Sequence, residues 1–405
     1  MVIFDSWRSL NVRERSGLEV LLTFLKLGMT SFGGPTAHIG YFREEIVIRR
    51  RWLDDAAYSD LVALCQFLPG PASSQVGFSL GLIRAGYWGA LAAWIGFTMP
   101  SAILLAAFAY GAGTLGGQTG HAILHGLKLV AVAIVAQAVW GMARTLCPDR
   151  ERASIAGVAA LIILSSTSSI AQLGTIVTGG IAGMLFCKSA PIAARGSLSV
   201  PVSRRVGLIA LGLFFTVLIV LPVLFSSSRN IELFNAFYRS GALVFGGGHV
   251  VLPLLKNAVV TPGWVSEDAF LAGYGAAQAV PGPLFTFAAY LGALAAPNGG
   301  IGALLGIIGI FLPGMLVLLG ALPFWQQLRI QPRAQAIMQG VNAAVVGLLA
   351  AALYNLLWIN AVKSSADVAC VLVGFILLIV WHAPPLVIVV LGAGAGLMMT
   401  TFLGL

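Results

Sequence analysis

Two cations stand at matching positions in otherwise apolar segments of the chain. Lys26 lies in FLKLGMTSFGGP, residues 24–35, and Arg239 lies in FYRSGALVFGGG, residues 237–248. A charge inside an apolar segment costs about 2.5–3.5 kcal/mol on insertion scales, which makes it a functional candidate by default. Two such cations would select an anion. The alternative is that each side chain reaches the membrane interface along its own stem.

Glycine and proline breaks follow both cations and offer a second way to hold an anion. Glycine can take a positive φ and expose its N–H group, and a helix that begins after proline presents free N–H groups and a partial positive charge. Neighbouring hydroxyls and amides would extend such a site, whereas the alternative is that these residues only permit kinks and close packing. Besides the two cations, the predicted substrate-binding residues are Gly33, Gly34, Pro35, Gln66, Gly70, Pro71, Ser73, Ser74, Gly246, Gly247, Gly248, Gln278, Gly282, Pro283 and Thr286.

Four further polar residues are candidates for contact with the substrate or with a proton. His38 and His249 flank the glycine breaks and could titrate near neutral pH, although packing would also explain them. Lys128 and Asn342 occupy matching positions in apolar segments. The four cysteines share no spacing typical of metal sites or disulfide frameworks, so we predict no metal and no cofactor. No G-x-x-x-x-G-K-[ST] phosphate loop occurs, which argues against ATP hydrolysis.

The strings around Lys26 and Arg239 belong to a unit that occurs twice. Each is followed by a tryptophan, then by Q-x-x-P-G-P at 66–71 and 278–283, then by GFTMP at 96–100 or GIFLP at 309–313. The offset between copies stays at 212 to 214 residues over more than 100 positions. This regularity indicates a duplication. In an apolar chain, duplication is typical of secondary transporters, whose substrate site lies between the halves.

Composition sets the class of protein. The 405 residues are 59% hydrophobic and only 9% charged, with a mean hydropathy of +0.94. Soluble domains carry about 25% charged residues. Long apolar runs must satisfy their own backbone hydrogen bonds in lipid, so we predict an all-α polytopic membrane protein. The net charge of +9 lies mostly in short loops, where it would orient the chain rather than bind nucleic acid.

The apolar runs predict nine full membrane spans and shorter arms around the motifs. Residues 57–68 and 72–84 are too short to cross a hydrocarbon core of about 30 Å, and Pro-Gly-Pro separates them. Residues 18–48 form a similar pair, split at 32–35. We therefore predict re-entrant or broken helical hairpins in each half. The full spans are predicted at 86–111, 121–143, 153–169, 172–187, 205–226, 300–323, 336–360, 366–381 and 384–403.

Loop charge predicts the orientation of both copies. With a cytoplasmic N-terminus, the inner loops hold fifteen Lys and Arg residues and the outer loops hold only Arg229 and Lys363. Loop 49–56 then lies inside and its counterpart 261–268 outside, so the copies are inverted repeats. The predicted organisation is a cytoplasmic segment 1–17, a first repeat 18–200, a connecting span 201–231 and an inverted second repeat 232–405, in a bacterial-type inner membrane.

The chain resembles the chromate ion transporter family in its long two-domain form. The resemblance rests on 32–35 with 38–40, on 66–72 and onward to residue 81, on 96–100, and on 245–249. It covers nearly the whole chain. It implies a membrane protein that exports chromate, a tetrahedral dianion similar to sulfate, and confers chromate resistance. The second copy departs from the first, with Gly248 for Pro35 and Phe287 for Gln75, which implies that the halves contribute unequally.

Three classes of function remain in competition at this point. We favour a secondary transporter of an oxyanion, working by alternating access, with sulfate or another oxyanion as the alternative substrate. An anion channel of the same architecture would differ in its lack of saturation. An integral-membrane enzyme would need a nucleophile or a metal cluster that the sequence does not offer. The expected partners are the oxyanion and the lipid bilayer, not nucleic acid, and a homodimer is left open.

Overall fold

The computed structural model describes residues 17–112, 117–166, 168–187, 201–224 and 228–400, and every regular element in these ranges is a helix. This confirms the predicted all-α class. Nearly all of the predicted cytoplasmic segment, the basic stretch 188–200 and residues 401–405 lie outside the described ranges. We call residues 17–187 the first half and residues 228–400 the second half.

The first half contains seven helices, and one more connects the halves. The helices are α1 (Gly17–Thr30), α2 (Gly34–Phe42, continued as a π-helix over Arg43–Arg49), α3 (Asp55–Phe67), α4 (Ala72–Ala112), α5 (Gly117–Leu146), α6 (Arg150–Ser165), α7 (Ser169–Phe186) and the connecting α8 (Arg204–Leu224). In α4 the backbone dihedral angles leave the helical region at Ala85 and Gly86. Helix α4 therefore consists of two consecutive helices joined at a kink. This break lies where the sequence predicts the border between a short arm and a full span.

The second half repeats the same order of elements. They are α9 (Arg229–Ala242), α10 (Val251–Leu255, between a 3₁₀ turn Gly248–Val250 and a π-helix Lys256–Val260), α11 (Glu267–Ala277), α12 (Phe287–Ala295, after a 3₁₀ turn Leu284–Thr286), α13 (Gly299–Ala321, continued by Leu322–Phe324 and α14, Trp325–Leu328), α15 (Pro332–Ala352, continued by a π-helix Leu353–Trp358 and α16, Ile359–Ala361), α17 (Ser365–Ile379) and α18 (Pro385–Met398).

Among the described residues, five helical stretches are long and apolar enough to cross a membrane: 72–111, 119–146, 204–221, 299–328 and 332–361. They support a polytopic membrane protein. The described parts of the nine predicted spans fall largely on helices. Helices α6, α7, α17 and α18 have only 14 to 18 residues, fewer than the ~20 that a perpendicular crossing needs. The count of nine full spans therefore stays a prediction.

Both halves share a second regularity after their π-helices. Arg43 Nε lies 2.6 Å from Asp55 Oδ1, and Lys256 Nζ lies 2.5 Å from Glu267 Oε1. Each cation opens a π-helix, and each acid stands in the first turn of the next helix. The Arg43 guanidinium, through its hydrogen bond and its charge, holds the pKa of the Asp55 carboxyl below its ordinary value. These matched pairs fasten the loops that contain Trp52 and Trp264.

The glycines of GFTMP and GIFLP allow two equivalent pairs of helices to pack closely. A Cβ on Gly96 of α4 would lie 2.7 Å from the carbonyl oxygen of Leu21 in α1. A Cβ on Gly309 of α13 would lie 2.9 Å from the carbonyl oxygen of Phe234 in α9. Leu21 and Phe234 are themselves at matching positions. The repeated motif thus sets the α1–α4 and α9–α13 contacts, since small residues let helix backbones approach.

The last helices of each half pack against the other half. In the first half, α5 packs on α17 and α18, and in the second half α15 packs on α6 and α7. Glycine permits both contacts: Gly126 of α5 faces the backbone of Gly392 in α18, and Gly340 of α15 faces the backbone of Gly179 in α7. Gly126 and Gly340 are matching residues of the duplicated unit. The halves therefore exchange their C-terminal helix pairs, and neither is a separate domain.

Candidate substrate-binding site

Four helix breaks meet inside the protein, at a place that we call the junction: residues 31–35, 68–71, 243–248 and 278–283. Two backbone hydrogen bonds cross it. The N–H of Gly70 donates to the carbonyl oxygen of Val244 at 2.7 Å, and the N–H of Gly282 donates to that of Ser31 at 2.9 Å. Gly70 matches Gly282 and Ser31 matches Val244 in the duplicated unit. The Pro-Gly-Pro loop of each half is thus bonded to the Phe-Gly-Gly loop of the other.

Equivalent residues also touch each other at the junction. A Cβ on Gly248 would lie 3.4 Å from Cγ of Pro35, and these two residues match at an offset of 213. Residues that contact their own counterparts lie on the local two-fold axis of a pseudo-symmetric pair. Gly248 therefore stands directly against the ring of its counterpart Pro35.

The breaks depend on left-handed backbone at glycine. Gly70 has φ +115° and Gly282 has φ +99°, values that residues with a Cβ rarely adopt. Helix α1 ends at Thr30 and α3 at Phe67, and the chain resumes helical structure at Gly34 and Ala72, which confirms the predicted breaks. Pro71 and Pro283 immediately precede the next helical segments.

Buried polar atoms without a partner cluster in and beside the junction. Within the described ranges, the Oγ atoms of Ser31 and Ser74, Nε2 of His38, Oγ1 of Thr98 and Oε1 of Gln75 are buried and make no hydrogen bond. Burying such a group unpaired costs about 1–3 kcal/mol. The second half adds Gln278 Nε2 and Asn342 Oδ1. Groups that stay unpaired at this cost are candidates for binding a ligand that supplies the missing partner.

Each histidine reaches a hydroxyl near its glycine break. His38 Nδ1 lies 3.4 Å from Ser73 Oγ, with its ring edge-on to Phe97. His249 Nδ1 lies 2.6 Å from the hydroxyl of Tyr274. Both histidines therefore have one ring nitrogen occupied within the protein. The other ring nitrogen of His38, Nε2, is buried and has no hydrogen-bond partner within the described ranges.

Two of the predicted side chains are less available than the sequence suggests. The hydroxyl of Thr286 donates to the carbonyl oxygen of Pro283 at 2.7 Å, so its proton is used within its own turn. Gln66 is exposed on α3, whereas its counterpart Gln278 is half-buried. The matching glutamines thus occupy different surroundings.

Lys26 is paired with one carboxylate of its own half. Its Nζ lies 3.3 Å from Glu45 Oε2, and Arg50 also binds Glu45 at 2.9 Å. Arg50 and Arg84 in turn bind Glu19 at 3.2 and 3.1 Å. Lys26 is therefore neutralised in a network of fixed charges. The joint role of Lys26 and Arg239 at one substrate site stays a prediction.

Arg239 has different surroundings. It lines a cavity of about 670 Å³ between α7, α8, α9, the π-helix after α10 and Trp264. Within the described ranges it forms no ion pair.

Lys128 and Asn342 have different surroundings, as Lys26 and Arg239 do. Lys128 Nζ lies 2.5 Å from Asp268 Oδ1, so its charge is paired across the halves. Asn342 lies at the junction, because a Cβ on Gly246 would be 3.4 Å from its Oδ1. Of this matching pair, only the uncharged member lies where a ligand could meet the helix breaks.

Gln75 and Asp60 are important side chains that sequence reasoning did not select. The amide of Gln75 donates to the carbonyl oxygens of Pro69 and Gly314, at 2.9 and 2.8 Å, and so ties the loop before α4 to α13. Asp60 accepts hydrogen bonds from Trp325 and Arg329 across the halves. Gln75 lacks a counterpart in the repeat, and that departure was the available signal.

The fold and the junction define a class: a multi-pass helical membrane transporter of two matched halves whose broken helices meet at a buried polar centre. Within that class, the chain belongs to the chromate transporter family, because the family's sequence profile matches residues 18–184 and 231–397. The two matched segments coincide with the two halves described above.

Full-length relatives carry the same family description. A chromate transport protein of Pseudomonas aeruginosa is 28% identical over 388 residues, covering 93% of this chain and 90% of the relative. A probable chromate transport protein of Synechococcus elongatus is 29% identical, covering 97% and 98%. A chromate transport protein of Cupriavidus metallidurans is 27% identical, covering 88% and 86%. No solved structure matches the chain.

Candidate metal ligands are not grouped in the described part of the chain. There, no group of three or more histidine, cysteine, aspartate or glutamate side chains is placed to hold a metal ion. The four cysteines are unpaired thiols.

Proposed function

We propose that the protein exports a tetrahedral oxyanion, chromate in the first place, from the cytoplasm by alternating access, and so confers chromate resistance. The observation that carries the proposal is the cluster of buried, unpartnered polar atoms at the junction of a chain in the chromate transporter family. Three relatives are named as chromate transport proteins, which supports chromate as the substrate. Membership in a family of transporters supports transport rather than catalysis.

The chemistry of the junction suits a dianion with four oxygens. The hydroxyls of Ser31, Ser74 and Thr98 and the Nε2 of His38 can each donate a hydrogen bond to such an oxygen. Because these donors are neutral, they replace hydration without the strong attraction of a full charge, which favours release as well as binding. Sulfate has the same shape and charge, so it is the second candidate substrate.

We infer that the halves are inverted repeats and that the N-terminus is cytoplasmic. The reciprocal bonds at the junction support a local two-fold axis, and the basic residues of the predicted loops support its direction in the membrane. An axis in the membrane plane lets the halves exchange inward-facing and outward-facing roles, as alternating access requires.

Labelling of a single cysteine in loop 261–268 tests this orientation. In a chain whose four native cysteines are replaced, Ser266→Cys should react with a membrane-impermeant maleimide in intact cells. Ser59→Cys, three residues after the equivalent first-half loop 49–56, should react only after permeabilisation. Protection of the first cysteine, or labelling of the second in intact cells, contradicts the inverted arrangement.

Uptake of labelled chromate into inside-out vesicles tests the transport function. A membrane potential that makes the vesicle interior positive should drive saturable uptake, since each 100 mV contributes roughly 2 × 2.3 kcal/mol to a dianion. Ser74→Ala should raise the KM for chromate about tenfold, because it removes a hydrogen bond to a charged ligand. It should leave protein stability unchanged, because the hydroxyl has no partner in the protein.

The control for this experiment is Ser59→Ala, since Ser59 lies on α3 and bonds only its own helix backbone. Absence of saturable uptake by the wild-type protein would overturn the proposed transport of chromate. Uptake that rises linearly with concentration would favour the channel. An unchanged KM in Ser74→Ala would remove Ser74 from the site. Imposing the pH gradient and the potential separately shows which of them drives the transport.

A further inference from the structure

The cavity around Arg239 can be compared with the equivalent place around Lys26, because both cations belong to the duplicated unit. Its walls come from α7, α8, α9 and the π-helix after α10, and Asn235, Asn257 and Trp264 line it together with Arg239. Oδ1 of Asn235 is buried and makes no hydrogen bond with a described residue. The guanidinium of Arg239, the amide N–H groups of the two asparagines and the indole N–H can donate to a small anion, and the lining also contains the acidic Glu232.

The first half shows what fills the equivalent place. At an offset of 213 residues, Lys26 matches Arg239 and Glu45 matches Ala258. Glu45 Oε2 lies 3.3 Å from Lys26 Nζ, whereas Ala258 lines the cavity beside Arg239. The second half therefore keeps the cation but lacks the carboxylate that neutralises it.

The other members of the first-half network are also missing from the second half. Arg50 and Arg84, which bind Glu19, are matched by Gly263 and Ala296. Only Glu232, the counterpart of Glu19, is retained, and it lines the same cavity. It stands seven residues from Arg239 on one helix, which corresponds to about 10 Å along the axis. At that distance, across an open cavity, it does not replace a direct ion pair.

We propose that the Arg239 cavity, which Leu243 of the junction also lines, is an oxyanion-binding site, and that the Glu45 carboxylate takes the place of that anion at Lys26. The two half-sites then differ. Glu45 supplies the anion at Lys26, whereas the substrate supplies it at Arg239. The inference rests on the proposed function, since it assigns the transported oxyanion to this cavity. In the structure, the cation of the second half faces an open cavity and the cation of the first half forms an ion pair.

Placing a carboxylate at residue 258 tests the inference. Ala258→Glu rebuilds the first-half arrangement and should neutralise Arg239. Binding of labelled sulfate and chromate to the purified full-length protein in detergent should weaken at least tenfold relative to Ala258→Gln, which adds the same bulk without the charge. Arg239→Gln should weaken binding to a similar extent, and Glu232→Gln should strengthen it by removing a like charge.

The outcomes separate this inference from the proposed function. Equal affinities in Ala258→Glu and Ala258→Gln, with both proteins monodisperse, would overturn the role of the cavity while chromate transport stands. Normal affinity in Arg239→Gln would overturn it as well. Absence of both binding and saturable transport in the wild-type protein would instead overturn the proposed function. Binding weakened in Lys26→Gln but not in Arg239→Gln would reverse the assignment of the two half-sites.

Discussion

Gly70→Ala is expected to abolish chromate transport, with a loss of at least a hundredfold in uptake rate. Two costs add at this position. Residue 70 has φ +115°, where a side chain is strained by about 1–3 kcal/mol. The new Cβ would also lie 2.8 Å from Cα of Gly314 in α13, and backbone cannot rotate away as a side chain can. The hydrogen bond from Gly70 to Val244 would be disrupted.

Three other glycines provide a graded comparison. At Gly282, with φ +99°, the nearest atom to a new Cβ is Oγ of Ser101 at 2.9 Å, which can turn aside. At Gly34 the φ of +79° is strained but the space is open. Gly40 has neither problem. The expected order of damage is therefore Gly70→Ala, then Gly282→Ala, then Gly34→Ala, with Gly40→Ala close to wild type.

Uptake into inside-out vesicles, normalised to the amount of inserted protein, measures this series. Size-exclusion profiles in detergent distinguish loss of transport from loss of fold. If Gly70→Ala transports as well as Gly40→Ala, the junction does not have the close packing described here. If Gly282→Ala lowers the uptake rate more than Gly70→Ala does, the contact of residue 70 with the backbone of Gly314 is not the tighter constraint.

Asp60→Ala is expected to lower the free energy of unfolding by about 3 kcal/mol. Asp60 Oδ1 accepts from Arg329 Nη1 at 2.8 Å and from Trp325 Nε1 at 3.0 Å, and both charged side chains are more than nine-tenths buried. Removing one member of a buried ion pair leaves the other charge without its partner, which costs about 3–5 kcal/mol. The pair also joins α3 of the first half to the end of α13 and α14 in the second.

Equilibrium unfolding in mixed detergent micelles measures this effect. The double substitution Asp60→Leu with Arg329→Met should recover much of the loss, because two apolar groups need no partner. The exposed pair Arg43–Asp55 supplies the control, and Asp55→Ala should leave stability almost unchanged. An Asp60→Ala protein as stable as Asp55→Ala would show that the buried pair does not hold the halves together.

The repeated strings predicted much of the fold because they contain glycine and proline, whose backbone preferences mark helix breaks. Glycine permits the left-handed backbone at which a helix can be interrupted, and Gly33, Gly34 and Gly70 adopt it at the observed breaks. The glycines of the GFTMP and GIFLP motifs could not be assigned a partner from sequence, because close helix packing depends on which helices meet. The structure supplies that partner in α1 and α9.

The candidate site was less predictable because charge depends on neighbours that are distant in sequence. Lys26 and Arg239 match in position and type, and nothing in their own segments separates them. The difference lies nineteen residues further on, where one copy has Glu45 and the other Ala258. The unpartnered hydroxyls of Ser31 and Thr98 were equally hidden, because burial without a hydrogen bond is a property of the packed state.

The exchange of C-terminal helix pairs has a consequence for biogenesis. Helix α5 ends at Leu146, whereas its packing partners begin at Ser365 and finish with α18. During synthesis, α5 is made more than 200 residues before its packing partners. The glycine face around Gly126 stays uncovered until those partners are made. The first half is completed only when the last helices arrive. A nascent chain that stops early should therefore be a target for membrane quality control, and two separately made halves could mature only by finding each other.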